Sequence, residues 1–163
     1  MTKFLLAVHV IAAILAIGPV AVAASMFPPV ARRALAAAGP AGRGSSGSPT
    51  GPDGPVAAAS LQLLHRICRV YAVVGVVVPV FGFATASRMG VLGSAWLIVS
   101  IALTALAALV LAALVLPAQT AFVEGAAEPR LAARLAMSTG LFNLLWAAVT
   151  VLMIVRPGST TGA

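Results

Sequence analysis

Apolar residues run along this chain in four long blocks, and most of its polar residues lie between them. The first block, Phe4 to Ala24, is interrupted only by His9 and by Gly18-Pro19. The second runs from about Cys68 to Ala86, the third from Ala95 to Leu116 and the fourth from about Ser138 to Val155. At 1.5 Å of rise per residue the first block reaches about 31 Å as a helix, enough to cross the hydrocarbon core of a bilayer. Ala, Leu and Val fill the blocks without two-residue alternation, which argues for helices and against the strands of a transmembrane barrel. The pattern predicts an all-α fold: a four-helix transmembrane bundle forming one integral membrane domain over residues 1–163.

The connections differ in kind. Gly39 to Pro55 is almost entirely Gly, Pro and Ser, a composition that cannot bury enough apolar surface to offset its ordering entropy, and it reads as a flexible loop. Before it, Pro28-Pro29 followed by Val30 to Leu35 reads as a short helix on the membrane surface, stopped by Gly39-Pro40. After it, Val56 to Val70 continues helically into the second block. Glu128-Pro129 supplies a helix start from which the pattern continues through Arg130 to Val155. Helices two and four are therefore expected to extend beyond the bilayer into the cytoplasm. Pro79 frees the carbonyl of Gly75 and Pro19 that of Leu15, so both helices are candidates for kinks.

Composition turns this pattern into an environment. The chain is 61% apolar and 8% charged, with mean hydropathy +1.11. A soluble domain carries about 25% charged residues, so an ordinary soluble enzyme is excluded. The net charge of +7 needs no nucleic acid to explain it. With four spans, Lys3, Arg88 and Arg156 fall on one face, while Arg32, Arg33, Arg43, Arg66, Arg69, Arg130 and Arg134 fall on the other. The positive-inside rule makes the richer face cytoplasmic, places both termini outside a bacterial inner membrane, and puts the first and third loops inside. A cleaved signal peptide is the rival for the first block, given Lys3 and the small residues Ala21 to Ala24. Its length and the five arginines that cleavage would leave outside oppose that reading.

Candidate chemistry begins with His9, because an ionisable side chain inside a span is costly and faces the bundle interior or a cofactor. It lies about 7 Å below the end of its helix, at the depth of Ser100 on the third span and Thr150 on the fourth. One reading makes it an axial haem ligand or a copper ligand through a neutral imidazole. The other makes it a structural imidazole bonded to Ser100, Thr150 or a backbone carbonyl, with no metal and no cofactor. His65, Arg69, Gln62 and Arg66 share an arc of about 100° on their helix, a basic face. With Arg130 and Arg134 it reads as a collar contacting anionic phospholipid headgroups, or alternatively an acidic partner or phosphate-bearing ligand. Asn143 is placed to bond across to Tyr71. The single cysteine, Cys68, excludes an intramolecular disulfide and a multi-cysteine metal site. The alanines and Gly18, Gly75, Gly82 and Gly140 suit close helix contact, within a monomer, a homo-oligomer or a complex with another membrane protein.

Four stretches carry a family resemblance: Phe4-Leu5-Leu6-Ala7-Val8-His9-Val10, Arg66 to Tyr71, Trp96 opening the third span, and Leu152-Met153-Ile154-Val155-Arg156-Pro157. In that order they resemble an uncharacterised bacterial family of small four-span integral membrane proteins, with Gly39 to Pro55 as an insertion. The early histidine is also distantly similar to that of copper-resistance protein D and of HemJ-type protoporphyrinogen oxidases, which implies metal or haem binding at His9 alone. The expected function is a non-enzymatic accessory, packing or assembly component of the membrane. The alternative is a haem- or metal-binding redox protein using His9.

Overall fold

The computed structural model describes residues 2–38, 53–125 and 128–158. Among them the chain is all-α: α1 (Thr2–Ala38), α2 (Asp53–Val74), α3 (Val77–Met89), α4 (Ala95–Val110), a π-helical turn (Leu111–Val115), α5 (Leu116–Val123) and α6 (Pro129–Val155). Four continuous or nearly continuous helical runs are long and apolar enough to cross a membrane: Lys3–Ala36, Gly54–Met89, Ala95–Val123 and Pro129–Val155. Together they form a four-helix bundle. Helix α1 packs along α2, α3 and α6, α4 packs on α6, and α5 returns to α2.

Prolines shape three of the four runs, each differently. α1 passes without a break through Pro19, Pro28 and Pro29, so the separate surface helix expected after Pro28-Pro29 is instead the last part of one 37-residue helix. Phe27 and Ala31, both fully buried, flank the proline pair, and their packing holds the helical path where two backbone donors are missing. The second run breaks at Gly75-Val76, four residues before Pro79. The carbonyl of Gly75, freed by that proline, accepts the N–H of Val78 at 3.2 Å, and Val76 donates to Val73 at 3.1 Å. Bonds of three-residue span thus satisfy a backbone that lipid could not. In the third run the π-helical turn precedes Pro117, and Leu116 donates its N–H to Leu111 five residues back. The wider turn relieves the clash of a proline ring with the carbonyl four residues before it. The helix therefore continues to Val123 rather than stopping at Leu116. Of the loop expected over Gly39 to Pro55, residues 39–52 and the loop arginine Arg43 lie outside the described residues. Asp53 to Pro55 already belong to α2.

The interior is uneven along its length. One end of the bundle, where Leu61, Ala132 and Arg66 lie, is filled by a continuous cluster that includes Val20, Phe27, Leu61, Cys68, Val115, Phe122, Leu135 and Phe142. Phe27 and Phe122 meet edge to face at 6.1 Å. The other end, formed by the start of α1, the α3–α4 turn and the end of α6, holds a smaller cluster, Ala86, Trp96 and Leu97 with Val91 and Met153 against them. We refer to these as the basic end and the terminal end. Along the spans the outward faces are largely apolar, with Phe4, Ile14, Val73, Leu144 and Ile154 exposed.

Leu135 is fully buried in the larger cluster, so Leu135→Ala is expected to reduce unfolding free energy by about 2 kcal/mol. That lies at the low end for such truncations, because in lipid the loss is one of packing with little transfer term. Met137→Ala, on an exposed position of the same helix, is expected to change it by less than about 0.5 kcal/mol. Titration with a denaturing detergent, followed by circular dichroism, checks both.

Candidate functional site

His9 sits on α1 beside α3, in the thinly packed half. Its Nδ1 lies 3.0 Å from the carbonyl oxygen of Val78. A carbonyl only accepts, so Nδ1 carries the proton, and in the neutral ring Nε2 keeps its lone pair. The imidazole rests on Gly82: a Cβ there would come within 2.8 Å of His9 Cε1 and 3.2 Å of Nδ1. Gly82 is thus the seat that lets the ring reach Val78, one turn earlier on the same helix. Ser100 and Thr150 do not take part. Each turns its hydroxyl to its own helix, donating to Trp96 and Trp146 carbonyls at 2.8 Å.

Beside His9 the four runs border a partly open cavity of about 360 Å³. It is lined from α1 by Leu6 and His9, from α3 by residues between Val78 and Met89, from α4 by residues between Trp96 and Ala108, and from α6 by residues between Trp146 and Arg156. Those stretches of α3 and α4 rise about 17 Å, so the cavity is a slot running along the helices. Its described lining is largely apolar and contains no Asp or Glu. Thr85 and Thr104 line it too, but their hydroxyls are committed to the carbonyls of Phe81 and Ser100.

Arg156 closes the slot at the terminal end. α6 stops there in the left-handed region, φ 44°, with the Arg156 N–H donated to Leu152 and Pro157 next in the chain. That backbone turns the side chain back along the helix. Nε donates to the Met153 carbonyl at 3.3 Å, and the guanidinium carbon lies 5.7 Å from the centre of the Trp96 ring. At the inner end Trp146 packs edge to face on Phe142, and its buried indole N–H has no protein partner.

A second constellation lies at the basic end. Gln119 on α5 is completely buried, accepts from His65 Nδ1 at 3.3 Å and donates to Cys68 Sγ at 3.5 Å, linking α5 to two turns of α2. His65 and Arg69 line an open crevice with Thr120 and Glu124. Arg66, Arg69, Arg130 and Arg134 all have exposed side chains at this end. Asn143 donates to Ser25 on α1 at 2.9 Å rather than to Tyr71, and Ser25 passes the bond on to Ala21 at 2.6 Å. The contact follows from α6 packing on α1.

The site residues read from sequence therefore separate. His9 meets α3, Asn143 meets α1, and Ser100 and Thr150 serve their own helices. Sequence reasoning missed Gln119, because the third span was ended at Leu116. The signal was the apolar pattern resuming after Pro117 in Ala118 to Val123. It also missed Arg156 over Trp96, for which the signal was a span ending and a span beginning at the same face.

Among the described residues, no group of three or more His, Cys, Asp or Glu side chains is placed to hold a metal ion. Comparison of the chain with protein-family models, curated proteins and solved structures gives no match.

The His9–Gly82 seat is testable by a double-mutant cycle. His9→Gln is expected to lower stability by about 1 kcal/mol, in line with hydrogen bonds between membrane helices. Gly82→Ala is expected to cost about 1 to 3 kcal/mol in the presence of His9, and most of that loss should vanish in a His9→Ala background. Additive losses in denaturing-detergent titrations would show that ring and glycine do not act together.

Proposed function

We propose that this chain is a multi-pass protein of a bacterial inner membrane that works as a non-enzymatic accessory or assembly component. The observation that carries this reading is where the polar side chains of the spans are spent. His9 binds the backbone of α3, Asn143 binds Ser25 of α1, and Gln119 bridges His65 and Cys68 of α2. Each joins one helix to another, as intramembrane polar groups used for packing do. The apolar outer faces and small residues then serve lipid or a neighbouring membrane protein, including a second copy of this chain.

The proposed orientation has both termini outside, the first and third loops in the cytoplasm, and α2 and α6 projecting past the bilayer there. It is supported by seven basic residues on one side against three on the other. Arg66, Arg69, Arg130 and Arg134 then form a cytoplasmic collar, each gaining about 1 kcal/mol from anionic headgroups. Fusions of reporters active on only one side of the membrane, placed after Ala38 and after Pro157, check this. The Ala38 fusion is expected to report cytoplasm and the Pro157 fusion the outside. The reverse pattern overturns the orientation. Arg66→Gln with Arg69→Gln is expected to weaken the dependence of stability on anionic lipid.

A second reading, metal binding at His9, is favoured by the Nδ1 bond to Val78, because a backbone acceptor on one ring nitrogen is how ligating histidines are oriented. The visible absorption spectrum of detergent-purified protein tests it, together with metal analysis. A chromophore or stoichiometric metal lost in His9→Ala would replace the accessory reading.

A further inference from the structure

We infer that the slot at the terminal end binds a single acyl chain, with the anionic group of the same molecule on Arg156. Three features of the cavity converge on that chemistry. Its lining runs about 17 Å along α3 and α4, and its volume of about 360 Å³ makes it an elongated space suited to an extended hydrocarbon chain. Its described walls are largely apolar and hold no carboxylate. At the terminal end its lining includes Arg156, held by the Met153 carbonyl and the Trp96 ring. Only its Nε is used in those contacts, so the guanidinium keeps donors for a carboxylate or phosphate oxygen.

The surrounding fold explains why the space exists. The break at Gly75-Val76 sets α3 off from α2, and the His9 bond to Val78 fixes where α3 then runs. Close packing resumes only in the opposite half of the bundle. A chain entering from the Arg156 end lies parallel to the helices and stops near Val78 and Trp146.

The occupant is therefore an anionic amphiphile, either a free fatty acid or one chain of an acidic phospholipid. The inference needs the helices to lie in a bilayer but is independent of their orientation and of any accessory role. Both tryptophans of the chain, Trp96 and Trp146, line the slot, so intrinsic fluorescence reports on it directly. Full-length protein in neutral phosphatidylcholine vesicles is titrated separately with a mid-chain-brominated fatty acid, a brominated-chain phosphatidylglycerol and a brominated fatty alcohol.

Saturable quenching by the fatty acid or the phosphatidylglycerol, reversed by the unbrominated compound, is the expected result. The arm that saturates identifies the source. The uncharged alcohol is expected to quench only in proportion to its concentration in the bilayer. Arg156→Gln should weaken the saturable phase about tenfold, the worth of a charge-assisted hydrogen bond, and Arg156→Lys should restore part of it. Equal, non-saturating quenching by all three compounds in the unaltered protein overturns the proposal without recourse to a variant. So does an Arg156→Gln protein of native helicity that titrates unchanged. Recovery of folded protein without detergent would instead remove the membrane reading itself.

Discussion

The hydrogen bond from the His9 imidazole to the carbonyl of Val78 adds a polar tie to the packing of α1 on α3, in the half of the bundle where the buried apolar cluster is small. Helices in lipid gain nothing from hiding leucine from leucine, so contact between them must come from close packing or from polar bonds. At the basic end packing supplies it, through Phe27, Leu135 and Phe142. At the terminal end a smaller apolar cluster is supplemented by one imidazole, one glycine that admits it, and a cation resting on an indole. The two halves are different solutions to the same constraint.

That difference governs the rest of the architecture. Because α3 packs along α1 and is set off from α2 by the break at Gly75, space remains between it and α4 and α6. Because the larger core joins the same helices farther along, the space stays bounded instead of collapsing. The unevenness of the interior and the slot are thus one feature seen twice.

Much of this was legible in the sequence. Four apolar blocks without alternation dictated the helices, and Pro79 marked where the second run would yield. The surface helix after Pro28-Pro29 was misread because proline pairs weaken a helix locally, whereas Phe27 and Ala31 hold it through contacts distant in the chain. His9 stood out as an ionisable residue in an apolar run. Its partner was hidden, since a backbone carbonyl carries no letter, and Gly82 looks like any small residue until a ring is placed on it. Asn143 found Ser25 because α6 lies on α1, a matter of packing order that spacing along one helix does not encode. Gln119 was overlooked behind Pro117, a residue that ends most helices and here only widens one.

The widened turn at Leu111–Val115 also sets the phase of α5. From Ala107 to Gln119 is twelve residues, which in an uninterrupted α-helix would turn Gln119 about 120° away from the line of Ala107. A bond spanning five residues takes up one extra residue, roughly 100°, and brings the two back to nearly the same azimuth. Both are in fact completely buried. Without that extra residue the amide of Gln119 would rotate out of the interior, and His65 and Cys68 would lose the group that joins them to α5. One surplus residue in the third run thus acts as a gear tooth, keeping the only amide of that helix meshed with its neighbour.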